Sequence, residues 1–287
     1  IIDFWAGEEC DEGDTEPGDG CSEICTIEPD VAPIAFTKHL IDTDADGARS
    51  VYAADVDGDG HMDVLINRHT SVSKVHLLDA NQQVQDIVVL PQFARLCTFT
   101  ADLDGDGFVD LFCSHTGTGG DAFDQHIVFW GEEEGFLTSK FTLIDAPEFP
   151  GLAKSVLAAI PWDVDLDGRL DIVVSRFGIE PGYKAENLIY RNLGERTFKE
   201  TGTAWGLAES ANTWATAFID FTGDGIHDIY VMNDGTDASA KNRAYRFEGF
   251  DTEGEPQWVE FLPTGPLCDG RGLFGRHLNP MGAAVAD

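Results

Sequence analysis

Four times the chain writes an acidic, glycine-broken loop and then turns abruptly apolar. The copies are AADVDGDGHMDVLI from Ala53, ADLDGDGFVDLF from Ala101, WDVDLDGRLDIVV from Trp162 and IDFTGDGIHDIYV from Ile219. Their first aspartates fall at 55, 102, 163 and 220, so the spacings are 47, 61 and 57 residues. That is the length of a four-stranded propeller blade, with unequal insertions carried in surface loops. Five residues before each first aspartate stands Ser50, Cys97, Ala158 or Ala215, a column small enough for an innermost strand crowded by its neighbours. After each loop come Val64-Leu65-Ile66, Leu111-Phe112-Cys113, Ile172-Val173-Val174 and Ile229-Tyr230-Val231. Continuous apolar runs of this kind suit strands buried on both faces. Further strands are expected at Val75–Leu78, Gln85–Leu90, His126–Trp130, Asn187–Arg191 and Ala244–Phe247, with no amphipathic helix between them. The expected fold class is all-β, a β-propeller of four-stranded antiparallel blades.

Counted from its first residue, the opening loop places carboxylates at positions 1, 3, 5 and 9: Asp55, Asp57, Asp59 and Asp63. Gly60 sits at position 6, where the backbone turns sharply. Alternate residues of a tight loop converge on one point, and oxygen-only ligands suit Ca²⁺ rather than Zn²⁺. Position 7 offers its backbone carbonyl, which leaves its side chain free to vary as His61, Phe108, Arg169 and Ile226. The second loop repeats the set as Asp102, Asp104, Asp106 and Asp110, and the third as Asp163, Asp165, Asp167 and Asp171. In the fourth, Thr222 replaces the third-position aspartate beside Asp220, Asp224 and Asp228, so the weakest affinity is expected there. About four Ca²⁺ ions are expected in all. A turn that binds nothing is the plainer reading, but this many clustered carboxylates repel strongly without a cation. An EF-hand needs Glu at position 12 and flanking helices, whereas position 12 here is Ile66, Cys113, Val174 or Val231. Thrombospondin-type repeats leave little room for the apolar strands between loops. DTDADGARS from Asp42 ends in Ser50 where the ninth aspartate should stand, and reads as an interblade turn.

With 52 acidic and 18 basic residues the chain carries a formal charge of −34. That excludes nucleic acid or an anionic membrane surface as partner and favours cations. No apolar run approaches the length of a membrane span, so no membrane insertion is expected. The chain begins IIDFW without methionine or basic leader, the expectation for a processed or excised piece.

These repeats resemble the FG-GAP/VCBS family, the calcium-loop blades of integrin α-subunit propellers and many bacterial surface proteins. ENLIYRNLGERTFKETGTAWGLAES followed by ATAFIDFTGDGIHDIYVMND is especially similar to the cartilage-acidic-protein branch. The resemblance spans about 250 residues. It implies a β-propeller, often seven-bladed, with each loop joining the first two strands of its blade. On that reading residues 32–287 form a propeller segment of about four blades, and residues 34–41 an outer strand of a missing one. Residues 279–287 would then be the first strand of a fifth blade, with Gly282 in the small column and Asp287 opening a fifth loop. Further chain segments or subunits would complete the ring.

Residues 1–31 read as a separate cysteine-rich head. GEECDEGDTEPGDGCSEICTIE resembles a short repeat of secreted bacterial proteins that begins Cys-Gly-x-Gly, so this copy is truncated and keeps Cys10, Cys21 and Cys25. So short a unit cannot bury a core and relies on disulfides, which suits an oxidising compartment. Cys97 and Cys113 share an index sum with 101 and 109, which sets them opposite each other across the second hairpin. Two free buried cysteines acting as small hydrophobes is the other reading. Cys268 has no evident partner.

No GxSxG, HExxH, GxxxxGK[ST] or CxxCH motif occurs. Trp130, Trp162 and Trp205 could stack on sugar, although buried packing between blades is the commoner use. The sequence therefore points to an extracellular, secreted or cell-surface binding or adhesion module and not an enzyme. Its expected partner is a protein or glycan at the cell surface or in the extracellular matrix. The other class is the propeller of a polysaccharide-degrading or phospholipase-type enzyme whose catalytic centre lies in loops or in missing sequence.

Overall fold

The computed structural model describes residues 37–68, 72–91, 96–114, 125–133, 140–145, 154–178, 185–208, 210–233 and 242–261. The chain divides into Ile1–Leu40 and Ile41–Asp287, and every described strand belongs to the second unit. The head with Cys10, Cys21 and Cys25, the segment 279–287 and Cys268 lie outside the described residues. Residues 37–41, expected to end an outer strand, carry no regular structure, because no neighbouring strand pairs with them.

Among the described residues there is no helix. The strands are β1 (Ala48–Ala54), β2 (Asp63–Arg68), β3 (Lys74–Leu78), β4 (Val84–Val89), β5 (Leu96–Ala101), β6 (Asp110–Ser114), β7 (Gln125–Phe129), β8 (Phe141–Asp145) and β9 (Lys154–Trp162). They continue as β10 (Asp171–Gly178), β11 (Ala185–Glu186), β12 (Leu188–Gly194), β13 (Thr197–Glu200), β14 (Ser210–Ala211), β15 (Thr213–Ile219), β16 (Asp228–Asn233), β17 (Arg243–Phe250) and β18 (Pro256–Phe261). Four antiparallel sheets result: β1-β2-β3-β4, β5-β6-β7-β8, β9-β10-β12-β13 and β15-β16-β17-β18. The short β11 and β14 pair separately. First strands adjoin one another in chain order, β1 beside β5, β5 beside β9 and β9 beside β15. The described residues do not close a ring.

Period-2 alternation explains the continuous apolar runs. On β6, Leu111 and Cys113 pack with Val56, Leu65 and Val75 of the first sheet, while Phe112 faces Val156 and Ile172 of the third. On β10, Ile172 and Val174 look back to the second sheet, and Val173 joins Ile229 and Val231 of the fourth. The second strands of the second, third and fourth sheets, β6, β10 and β16, are thus walls between two apolar clusters, where a polar residue on either face would be buried without a partner. Trp130 and Trp205 are core residues at 2% and 5% exposure, while Trp162 is half-buried at the edge of the third core. Tyr230, Met232, Ala217 and Ala244 make a fourth cluster on the far face of the last sheet.

The small-residue column marks a bulge. Register slips between Ala48 and Ser50, at Val156/Ala158 (opposite Ser175/Arg176), and between Thr213 and Ala215. In the second sheet the slip sits nearer the loop, between Cys97 and Phe99. The hairpin pairs Ala101 with Asp110, one register away from the pairing that an unbroken 97–113 alignment requires. The extra residue at Thr98 restores it, and Cys97 lies opposite Cys113 and is bonded to it. In the other sheets the same column pairs one residue further on, Ser50 with Asn67, Ala158 with Ser175 and Ala215 with Met232. The bridge closes a loop of 16 residues, which corresponds to about 3 kcal/mol of lost unfolded-state freedom. Reduction, or Cys97→Ala with Cys113→Ala, is expected to lower the unfolding free energy by about that amount. Urea titrations with and without reductant measure it, and coincident midpoints would show that the bridge adds nothing.

Candidate metal centre

Each hairpin between the first two strands of a sheet is one of the acidic loops. Its first aspartate folds the loop around itself. The amide of the position-6 glycine donates to it in all four copies: Gly60 to Asp55, Gly107 to Asp102, Gly168 to Asp163 and Gly225 to Asp220, each at 2.9 Å. These glycines have φ between 85° and 92°, a left-handed conformation that strains any residue with a Cβ. The fifth-position aspartates Asp59, Asp106, Asp167 and Asp224 accept the position-7 amides of His61, Phe108, Arg169 and Ile226.

The ninth aspartate has a role that spacing alone does not reveal. Asp63, Asp110 and Asp171 are wholly buried, and Asp228 nearly so. One oxygen accepts the position-2 amide: Val56 at 2.8 Å, Leu103 at 2.7 Å, Val164 at 3.0 Å and Phe221 at 2.9 Å. In the first three copies the other oxygen accepts an amide of the third strand or the residues just after it, from Leu78, Gly131 and Asn192. The fourth copy lacks that tie, and Asp228 Oδ2 takes the Thr222 amide instead. Burial outweighs these amides and pushes Asp110 and Asp171 up to about 7. Burial raises Asp63 and Asp228 in the same direction. Half-buried Asp220 goes the other way, held down first by the Gly225 amide.

Positions 1, 3 and 9 converge. Carboxylate oxygens of Asp55, Asp57 and Asp63 lie within 4.8 Å of one another, as do those of Asp102, Asp104 and Asp110 and of Asp163, Asp165 and Asp171. Position 5 is not drawn into these groups, and among the described residues the fourth loop forms no such group. Asp55 Oδ1 and Asp165 Oδ1 are buried and accept no hydrogen bond. A carboxylate oxygen withdrawn from water without a donor is costly, and it fits a cation whose ligands are all oxygens. The residues present therefore suit a hard divalent ion in the first three loops, and less so in the fourth.

Arginines from distant strands complete the electrostatics. Arg196, on the turn between β12 and β13, reaches loop two at Asp104 Oδ2 (2.6 Å) and Asp106 Oδ2 (3.4 Å). It also contacts Glu132 and lies 4.9 Å over the Trp130 ring. Arg191 pairs with Asp165 at 2.6 Å and with Glu255 at 3.2 Å. Arg169, named for its carbonyl alone, pairs with Asp167 and donates to the Asn192 carbonyl. DTDADG is engaged by side chains of β2 and β3: Asp42 meets Lys74 at 3.3 Å and the His76 ring at 3.2 Å, and Asp44 meets Arg68 at 3.4 Å. The hydrogen bond from the Asp44 amide, with Lys74 close by, holds Asp42 below the usual carboxylate range.

These features define an all-β protein of repeated four-stranded sheets, each hung on an acidic hairpin loop. Residues 163–231 match the family model described as FG-GAP-like repeat. The match runs from position 1 of the third loop to the end of the apolar run after the fourth. The chain is also similar to the mouse (Mus musculus) KICSTOR complex protein kaptin, 32% identical over 110 residues. That alignment covers 37% of this chain and 23% of kaptin, so the chain spans under a quarter of that relative's length.

Proposed function

We propose that the protein is an extracellular calcium-binding module of the β-propeller type that serves binding or adhesion, with calcium holding the hairpins of its sheets. The observation that carries this reading is the convergence of three aspartates in each of three loops, with Asp55 Oδ1 and Asp165 Oδ1 buried and unbonded. Positions 1, 3 and 9 would supply the carboxylates, and the ion would cancel the repulsion that closes on each loop. The buried Cys97–Cys113 bridge is in keeping with an oxidising compartment. Val51 and Val89, in one row across the outer face of the first sheet, are 65% and 55% exposed, which suits a further sheet stacked there. Further segments or subunits would extend the repeat towards a ring of about seven blades. A protein or glycan of the cell surface or matrix is the partner class.

Terbium luminescence sensitised by tryptophan tests the metal reading. Titration should saturate at about four equivalents, the last bound most weakly, and millimolar Ca²⁺ should displace the ion far better than Mg²⁺. Asp55→Ala and Asp163→Ala should each remove one tight equivalent, and changes in the fourth loop should remove only the weak one. Absence of sensitised emission at saturating terbium would end the calcium reading.

A further inference from the structure

Between the third and fourth loops lies a cavity of about 260 Å³. It is lined by Trp162, Asp163, Leu166 and Leu170 from the third sheet and its loop, and by Ile226, His227 and Trp258 from the fourth. Trp162 is fixed by stacking on Phe218 at 4.5 Å and meets the His227 ring edge-on at 4.9 Å. One wall is built against local preference. Position 4 of the other three loops is glycine, Gly58, Gly105 and Gly223, with φ between 73° and 78°. In the third loop Leu166 occupies that left-handed position with φ 57°. A bulky side chain there is strained, and Leu166 is 44% exposed, so burial in the core does not offset the strain. The residue costs the fold something and its gain lies in the cavity.

Charge decides what the cavity takes. Residues 163–171 carry four aspartates and one arginine, net −3, and residues 220–228 carry three aspartates, net −3. Arg191, paired with Asp165, reduces the total of −6 to −5. A divalent ion in each loop would bring it to −1, so the site stays negative with or without metal. Among the described residues, no lysine or arginine lines the cavity. The occupant is therefore cationic at its end and apolar along its length. Arginine meets both demands, because its stem packs on apolar walls and its weakly hydrated, planar guanidinium stacks on indole. The molecule already uses this chemistry, where Arg196 lies over Trp130 while contacting Asp104 and Asp106 of loop two, and where Arg191 lies 5.8 Å over Trp205 while pairing with Asp165 of loop three.

We propose that the cavity between the third and fourth loops receives an arginine side chain presented by a partner protein. This rests on the binding-module reading but does not require the metal. The probe is an acetylated, amidated Gly-Ser-Arg-Ser-Gly peptide, titrated into the full chain while the indole N–H resonances of Trp162 and Trp258 are followed, in calcium and in metal-free buffer. Saturable shifts of those two indoles are expected. Binding should weaken about tenfold when citrulline, the neutral isostere, replaces arginine. Leu166→Gly should abolish the shifts while leaving melting temperature and terbium binding at or above their starting values, since glycine is what the other loops carry. Equal binding of the citrulline peptide or of methyl mannoside would overturn the cationic assignment. Undiminished binding to Leu166→Gly would overturn the site. Concentration-dependent dimerisation lost in Leu166→Gly would make a second copy of this chain the occupant and overturn the heterologous partner. Terbium binding without peptide binding sinks this inference alone, and the converse sinks only the calcium reading.

Discussion

In metal-free buffer the protein is expected to be more stable near about pH 5.5 than near about pH 8, and calcium should reverse that order. Asp110 and Asp171 carry the effect. Burial pushes both up to about 7 from an ordinary 3.8, so between those values the folded chain holds protons that the unfolded chain has released. Stability from such groups is complete below the unfolded value and is lost as pH rises through the folded one. Asp63 and Asp228 are shifted in the same direction. Each tenfold in an ionisation constant is about 1.4 kcal/mol, so the loss across this window is on the order of 5 kcal/mol. Calcium acts on the same oxygens with the opposite sign, since it binds the carboxylate and competes with the proton. At a hundredfold excess over Kd each independent site adds roughly 2.7 kcal/mol, and the gain should be greatest near about pH 8, where no proton competes. Asp42, Asp79, Glu132 and Asp220 are shifted down. Their contribution is lost only as pH falls through the acid range, so measurement above about pH 5 keeps the two windows apart. Urea unfolding over a pH series, in buffer passed over chelating resin and in millimolar calcium, gives both curves. A metal-free curve that climbs steadily from pH 5.5 to pH 8 would refute the burial argument.

The loops were legible because their chemistry is written within nine residues. Alternate aspartates, a glycine at the turn and an apolar strand after it point to one local geometry, and the four hairpins formed where the pattern stood. The both-faces burial of Leu111–Cys113 and Ile172–Val174 was legible for the same reason, from a run without polar alternation. What escaped the sequence was tertiary. Arg196 is 92 residues from Asp104 and Arg191 is 64 from Glu255, and no local pattern joins them. His76 and Lys74 meet Asp42 because that segment lies over one face of the first sheet at its third strand, which spacing does not encode. The cysteine alignment came from a hairpin register that was one residue off, and a bulge at Thr98 that composition does not announce restored it. The position-7 side chains read as free to vary, yet Ile226 lines the cavity against the third loop, and Phe108 lies 3.5 Å from where a Cβ on Gly58 would stand. Leu166 was visible as a break in the glycine column, the one signal that could have located the cavity in advance.

Asp171→Ala is expected to destabilise the metal-free protein by about 3–5 kcal/mol, although it removes an exposed-looking loop aspartate by sequence. The carboxylate is wholly buried and accepts the amides of Val164 at 3.0 Å and Asn192 at 2.8 Å. Val164 is itself fully buried, so its freed amide has no route to water. Each orphaned buried donor costs about 1–3 kcal/mol. Asn192 also holds the neighbouring repeat, since its side-chain amide donates to the Leu103 carbonyl at 2.6 Å and to that of Leu170 at 3.0 Å. Releasing its backbone therefore loosens the joint between the second and third sheets. Asp171→Asn separates clamp from ligand. It keeps an acceptor for one amide and removes a charge that burial disfavours, so without metal it should lose less than half as much as alanine. In calcium it should lose the third loop's share of stabilisation almost entirely, because a neutral amide is a poor substitute for a carboxylate at a divalent ion. Asp228→Ala serves as the internal comparison: one oxygen accepts both local amides and no third-strand amide is tied, so the smaller loss belongs there. Urea titrations of the three variants, each with and without calcium, give the set. Equal losses for Asp171→Ala and Asp171→Asn in metal-free buffer would mean that the ninth aspartate does not clamp the strands through its two amides.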